Sequence, residues 1–498
     1  MRWRRESRKP CVFRQPAIRA NDWTTLDVPR LGGWEPSLSV SVVVPAHQPR
    51  HLALVLAGLA AQSYPTELLE VVVVDDGSVP PIELPEIRPA RTRVVRPREG
   101  WGPAVARQVG AEASDGAVLH WLDADMVPHR HQVEAQLRWH HAVDYAVVLG
   151  HKVFVDGDAF SGVEPVVLRD TVLAGSAPED LARGGVVLPH TWIEAIMEAT
   201  DSLAAAGPRA MRVHVGASGS VGRDLFRESG GFPTDLITGE DIVLGYRLRE
   251  VGGVFIPDAE ARSVHVGASA VMRVEADVNR YNKPFITDLV PEFRGYRSAV
   301  PRTYAVPYLE VVLDVTDVAY ETARLAADAV LASTVPDLVV ALVGPWDELS
   351  DERRSVLDEA LLDLRLLRAA YTSDSRVALV DNPSERSRAS FRLSLPGLDE
   401  VPSGRSLETL LFTMDDEHLG LVVVDLSKGG RARLERTGAV ARARRLVDAQ
   451  PDPADLEAAL EAVYPTRSYD AATAGFVPLA EARQPKRVRG LKPWRTKA

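Results

Sequence analysis

The feature that most constrains this chain is a set of continuous apolar runs, each ending in polar punctuation. "LSVSVVVPA" is followed by His47, so Pro45, Ala46 and His47 stand at its end. "LLEVVVVDDGS" closes on Asp75, Asp76, Gly77 and Ser78, and "AVLHWLDAD" on Asp123, Ala124 and Asp125. Apolar runs of this length bounded by turn signals read as buried strands. "HLALVLAGLAAQ" and "PAVARQVGAEAS" between them read as helices, and "TRVVR" and "YAVVLGHKVFV" as further strands. Val-rich strands alternating with helices indicate an α/β domain whose parallel sheet is covered on both faces. Ligands of such sheets bind at the carboxyl ends of the strands. Parallel strands would therefore gather the three polar ends at one rim. Asp123 and Asp125 share one side of their strand and repel each other unless a cation sits between them. The plain alternative is a strand-end turn with solvated acids.

A chain of 498 residues is long for one domain, so two or three are expected. Its net charge of −11 argues against broad nucleic-acid binding, which needs a basic face. Both ends are nonetheless basic: "MRWRRESRKP" and "KRVRGLKPWRTKA". They read either as solvated tails or as segments that dock on an anionic membrane surface. Cys11 is the only cysteine, which rules out a disulfide within the chain and a Cys-based zinc site and suits a reducing compartment. There is no secretory signal pattern, and no window approaches the roughly 20 apolar residues of a membrane helix. The expected location is cytoplasmic, with peripheral contact at the inner face of the membrane as a possibility of the basic ends.

Residues 156–209 are rich in Gly, Pro and Ala and read as an irregular, partly helical insertion. Gly216, Ala217, Ser218 and Gly219 then allow a ligand to approach the backbone closely. "GEDIVLGYRLREVGG" opens with Glu240 and Asp241 at a helix start and stops at a double Gly. After about Tyr308 a second α/β pattern begins with "LEVVLDV", "DLVVALVG", "RVALV", "SFRLSL" and "LGLVVVDL". Its order resembles the first, but Val343 and Gly344 stand where a strand might end in paired acids. A degenerate internal copy and an unrelated α/β domain both fit. The expected organisation is a basic extension over 1–37, a first domain over 38–270, a linker over 271–307, a smaller α/β domain over 308–480 and a basic tail over 481–498.

Taken together and in order, "VVVPAHQ", "VVVVDDGS", "LDAD" and "GED" resemble the family 2 glycosyltransferases over roughly residues 38–270. The resemblance implies a GT-A type fold, a mixed, mostly parallel, Rossmann-like sheet, and transfer from a nucleotide sugar. It implies that Asp125 ligates Mn²⁺ or Mg²⁺, hard cations that take oxygen ligands and keep bonds to substrate phosphates, and that Asp123 approaches the ribose or the metal. One of Asp75 and Asp76 would bond the base, usually uracil, with the backbone of Pro45, Ala46 and His47 lining its pocket. Arg107 sits where the family often has a basic residue near the nucleotide; a surface charge is the alternative. An inverting transfer needs a base for the acceptor hydroxyl; the resemblance assigns that to Asp241, with Glu240 orienting the acceptor. His265 stands where several relatives place a metal-ligating His, and a satisfied structural His is the alternative. The pairs His129–His131 and His140–His141 read as exposed helix positions.

Processive synthases of this family carry Gln-x-x-Arg-Trp after the acidic pair. Here Gln136 to Trp139 has the wrong spacing and precedes the pair, so a non-processive enzyme is expected. The donor would be a UDP-sugar and the acceptor a cell-envelope glycan, a lipid-linked precursor or a small metabolite. Two rivals are a non-catalytic nucleotide-sugar-binding module and a sugar-phosphate nucleotidylyltransferase. The second should show a Gly-rich basic loop after the first strand, and "PAHQPRH" lacks one.

Overall fold

In a computed structural model of the chain, residues 13–184, 188–269, 272, 274–350, 354 and 356–482 are described. The basic ends and Cys11 lie outside the described residues. The chain divides into two units, Met1–Val290 with Gly438–Val463, and Pro291–Thr437 with Tyr464–Ala498.

The first unit is built on nine strands: β1 (Val40–Ala46), β2 (Leu69–Asp75), β3 (Thr92–Val95), β4 (Val118–Leu122), β5 (Met126–Pro128), β6 (Ala146–Val155), β7 (Leu188–Pro189), β8 (Ser218–Gly222) and β9 (Val254–Val266). Their order is β3-β2-β1-β4-β8-β6-β9-β5, with β7 on β6. β3, β2, β1 and β4 are mutually parallel. β8 runs antiparallel to both β4 and β6, and β9 is parallel to β6. The mixed α/β sheet expected from the sequence is present. Every residue of β2 and β4 is buried, as strands covered on both faces require. The covering helices are α1 (Leu52–Ala60), α2 (Pro103–Ala113), α3 (Gln132–Ala142), α4 (Pro165–Leu173), α5 (Thr191–Ala199), α6 (Arg223–Ser229), α7 (Glu240–Glu250) and α8 (Glu275–Leu289). α2 lies close on the sheet because Gly110 carries no side chain; a Cβ there would stand 2.3 Å from a Val43 methyl.

Two histidine readings are corrected by α3. His140 is buried, with Nε2 2.8 Å from Ser220 Oγ, and burial pushes its pKa down to about 3. His129 precedes the helix and pairs with Glu179 at 2.9 Å. The apolar period of α3 is irregular, so its sequence does not show that nearly the whole helix is enclosed between β6, β8 and β9. Gln136 to Trp139 serve the core: Gln136 accepts from Ser220 Oγ, and Arg138 and Trp139 Nε1 both donate to Asp258.

The second unit has β10 (Leu309–Asp314), β11 (Leu338–Val343), β12 (Val377–Val380), β13 (Phe391–Ser394), β14 (Glu400–Pro402), β15 (Leu421–Asp425), β16 (Arg431–Arg436), β17 (Thr466–Asp470) and β18 (Phe476–Pro478). Helices α9 (Tyr320–Leu331), α10 (Leu362–Tyr371) and α11 (Ser406–Asp416) accompany them. The sheet order is β12-β11-β10-β13-β16-β15-β17. β12, β11, β10 and β13 are parallel, β16 is antiparallel to β13 and β15, and β17 is parallel to β15. Strand for strand, this repeats the order and direction of β3-β2-β1-β4-β8-β6-β9. The short pair β14–β18 repeats the antiparallel pairing of β5 with the end of β9. The second unit is thus a topological copy of the first.

Register shows what the copy lacks. Val40 faces Leu69 and Val118 in the first sheet, and Leu309 faces Leu338 and Phe391 in the second. Counting forward equally, Gly344 and Pro345 occupy the places of Asp75 and Asp76, and Pro396 and Leu398 those of Asp123 and Asp125. The rim of the copy has no acid at any of these four places.

Between β16 and β17 the chain re-enters the first unit as α12 (Thr437–Leu446) and α13 (Pro453–Val463). The buried Arg442 guanidinium donates to the carbonyls of Gly252 and Gly253 at 2.9 and 2.8 Å, and to those of Ile18 and Ala20. Gly252 has φ +94°, and a Cβ there would meet the Arg442 backbone at 2.7 Å, so glycine is required twice over. This contact holds the carboxyl end of α7, the helix whose other end carries Glu240 and Asp241. Among the described residues no helix is long and apolar enough to cross a membrane.

Candidate active site

The carboxyl ends of β1, β2 and β4 open on a cavity of about 740 Å³. Pro45, Ala46 and His47 reach it from β1, Asp76 from β2, Arg107 from α2, Asp123 and Asp125 from the end of β4, and His265 from β9. Two neighbouring acids here have different uses. Asp75 is fully buried and does not line the cavity; its carboxylate accepts from the Ser78 and Ile82 N–H groups and from Arg96 Nε at 2.9 Å. Burial pushes its pKa up, but these bonds outweigh it and hold the carboxyl below its ordinary range. Asp76 is half-buried, faces the cavity and accepts from Gly102 N–H at 2.8 Å, tying the loop before α2 to the rim. His47 Nδ1 lies 2.8 Å from the Asp76 carbonyl and links the first two rim loops.

Arg107 is buried and joins two motifs. One Nη donates to Asp123 Oδ1 at 2.7 Å and the other to Glu240 Oε1, a residue 133 positions away. Burial acts to lower its pKa, but Asp123, Glu240 and Asp241 together raise it, so it stays charged. Gly216 makes room for this group, since a Cβ there would meet the guanidinium carbon at 2.7 Å. The small residues of "VGASGS" therefore admit a side chain of the protein at Gly216, where the sequence reading had expected a ligand. Ser218 and Gly219 belong to β8, an internal strand.

Glu240 and Asp241 begin α7 just behind the cavity wall. Burial, with the neighbouring Asp241, pushes the Glu240 carboxyl up to about 7 against the pull of Arg107. Asp241 is half-buried; its carboxylate accepts from Ile242 N–H at 2.8 Å and Gly216 N–H at 3.3 Å. His214 Nδ1 lies 2.8 Å from its carbonyl and steadies the helix start.

The residues placed so that they could hold a divalent cation are Asp125 and His265. Asp125 Oδ1 and His265 Nε2 are 3.7 Å apart, too far for a hydrogen bond. With bonds of about 2.0–2.2 Å, two ligands of one ion stand roughly 3–4 Å apart, so the spacing fits. Met126, the residue after Asp125, faces His265 across the β5–β9 ladder, which holds the two candidate side chains side by side. Asp123 is engaged by Arg107, and among the described residues no group of three or more His, Cys, Asp or Glu converges as a metal cage. Two protein ligands suit Mg²⁺ or Mn²⁺, which usually take one or two side chains and complete their shell with substrate phosphates and water.

Arg50, His51 and Asp158 also line the cavity, and the sequence analysis gave them no role. A loop charge carries no periodic signal, and Asp158 lies within the insertion, so neither could be singled out from sequence.

Residues 41–166, within the first unit, match the model of glycosyl transferase family 2. Two curated relatives, the pre-mycofactocin glycosyltransferases of Mycobacterium tuberculosis strains CDC 1551 / Oshkosh and ATCC 25618 / H37Rv, are each 32% identical over 187 residues. The match covers 37% of this chain and 34% of each relative, so the chain spans about a third of the length of the curated relatives it matches. Among solved structures, a mannosyltransferase from Pyrobaculum calidifontis, in complex with GDP-Man and Mn²⁺, is 19% identical with a TM-score of 0.35, over 56% of this chain and 68% of that one. GalNAc-T7 with UDP, GalNAc and Mn²⁺ is 16% identical with a TM-score of 0.33, over 52% and 53% of the two chains.

Proposed function

We propose that this chain is a metal-dependent, inverting, non-processive glycosyltransferase that moves a sugar from a nucleoside diphosphate sugar to an acceptor hydroxyl. One observation carries the reading: Asp76, Asp123, Asp125 and His265, from the ends of three separate strands, share one cavity at the carboxyl end of the sheet. Its volume falls in the range of small-molecule sites, about 300–1,000 Å³. In this reading Asp76 and the 45–47 backbone receive the base, with UDP favoured, and Asp123, fixed by Arg107, receives the ribose. Asp125 and His265 hold Mn²⁺ or Mg²⁺, which when bound draws charge from the diphosphate leaving group. Asp241 takes the proton of the acceptor hydroxyl, and Glu240, joined to Asp123 through Arg107, orients the acceptor. The enzyme works in the cytoplasm. Because the curated relatives are named pre-mycofactocin glycosyltransferases, pre-mycofactocin is the first acceptor to try, ahead of cell-envelope glycans and lipid-linked precursors.

The test is a screen of nucleoside diphosphate sugars for release of the nucleoside diphosphate, with and without Mn²⁺ or Mg²⁺. Turnover should need the metal and vanish in Asp125→Ala. Undiminished turnover in excess chelator would refute the metal role, and no turnover or binding with any donor would refute the transferase reading.

A further inference from the structure

Lys152, on β6, is 6% exposed and has neither a hydrogen-bond nor an ion-pair partner among the described residues. An unpaired ammonium removed from water costs several kcal/mol, so its retention calls for a reason. The nearby acids do not supply one. Asp123 is bonded by Arg107, Asp241 accepts two backbone N–H groups, and Glu194 has its side chain 44% exposed. They act on Lys152 only through space.

The side chain lines a second cavity, of about 150 Å³, walled by β6, α5 and the 213–218 segment. This cavity shares no lining residue with the donor cavity. His190 lines it too, and its Nδ1 is buried with no hydrogen-bond partner. Burial and the nearby Lys152 push the His190 pKa down to about 4, so the ring is neutral at pH 7 and has an N–H to donate. The cavity thus presents one cation and one neutral donor, neither of them partnered; His151, Glu194 and Asp258 line it too, Asp258 with its carboxylate bonded by Arg138 and Trp139 and Glu194 with its side chain 44% exposed beside His151. It is also near the reaction centre: the His190 ring packs on Phe154, and Phe154 on the metal-ligand candidate His265, with centroids 5.3 and 4.7 Å apart. The volume admits a few heavy atoms, well short of a nucleotide.

We infer that this cavity takes an anionic oxygen group of the acceptor, a carboxylate or a phosphate, with Lys152 as its counter-charge and His190 as a second donor. The inference rests on the transferase reading for the word acceptor, but the anion site itself can be tested alone. An acceptor so anchored would be held by its acidic group while its hydroxyl is presented toward Asp241. Acceptors lacking that group would bind more weakly, because the ammonium would stay buried without a partner.

The chain contains seven lysines, so the ε-carbon resonances of lysine-labelled, full-length protein are few enough to follow singly. Lys152→Met assigns the resonance, and Lys152→Arg does so if the first variant does not fold. With the donor site saturated by UDP and Mg²⁺, acetate and inorganic phosphate are titrated separately. The Lys152 resonance should shift saturably with at least one of them, and the probe that acts at lower concentration identifies carboxylate or phosphate. Lys152→Met should weaken that binding by about 10- to 100-fold, as expected for a hydrogen bond to a charged group, followed by protection of the fold from heat. A Lys152 resonance unmoved by either probe, up to concentrations where the exposed lysines respond, would overturn the inference. Calorimetry of UDP binding on the same sample tests the donor reading separately, so the two failures are distinguishable.

Discussion

Replacing Lys152 by Met should stabilise the protein at neutral pH, although it impairs the proposed acceptor site. Burial lowers the Lys152 pKa from 10.5 to about 8, against the pull of Asp123, Asp241 and Glu194. A shift of about two and a half units, at about 1.4 kcal/mol per unit, makes the folded state about 3 kcal/mol less stable than with an unshifted lysine. The sign follows from linkage: a depressed lysine contributes stability above its unfolded pKa and loses it as pH falls through the folded value near 8. Wild type therefore bears the full cost below pH 8 and none well above pH 10.5. Met has similar length and no charge, so the variant escapes the cost. Denaturant unfolding of both proteins from pH 7 to 10 should show a gain of about 3 kcal/mol at pH 7 that falls below about 1 kcal/mol at pH 10. A gain that is absent at pH 7 would mean the ammonium is compensated in the folded protein. A gain that does not change with pH would mean it comes from apolar packing. Either result would refute the reasoning.

The remaining predictions concern Arg107 and Asp241. Arg107→Met leaves Glu240 buried without its cation and should cost about 3–5 kcal/mol of stability, the usual penalty for breaking a buried pair; denaturant melts read it, and a loss under 1 kcal/mol would show that the bridge is dispensable. Asp241→Asn keeps size and removes the proton acceptor, so kcat should fall by about 10² to 10⁴ while calorimetric affinity for UDP with Mn²⁺ stays near wild type. Lost nucleotide binding with retained turnover would assign Asp241 to the donor site instead.

Local pattern was enough to place the sheet and its rim. The apolar runs of β1, β2 and β4 are legible because strands covered on both faces are apolar throughout, and their acids are legible because three polar strand ends converge on one rim of a parallel sheet. The repeat of that pattern after Tyr308 could be read in the same way, and so could the missing acids, which the register moves by one residue from Val343 and Gly344 to Gly344 and Pro345. Tertiary structure decided how the rim residues divide their work. Asp75 and Asp76 are adjacent and chemically alike, yet Arg96 and the turn around Ser78 and Ile82 occupy the first while the second faces the cavity. Arg107 reads as a cation near the nucleotide or as a surface charge until folding brings Glu240 to it. His140 reads as exposed until β8 covers it. The return of residues 438–463 to the first unit depends on Arg442 meeting the carbonyls of Gly252 and Gly253. Lys152 carries no signal in the run that reads as β6, and only the fold shows it enclosed and unpaired among the described residues. The physical reason is the same in each case. Periodicity is a property of neighbours along the chain, whereas desolvation and ion pairing are set by whichever distant segments fold against a residue.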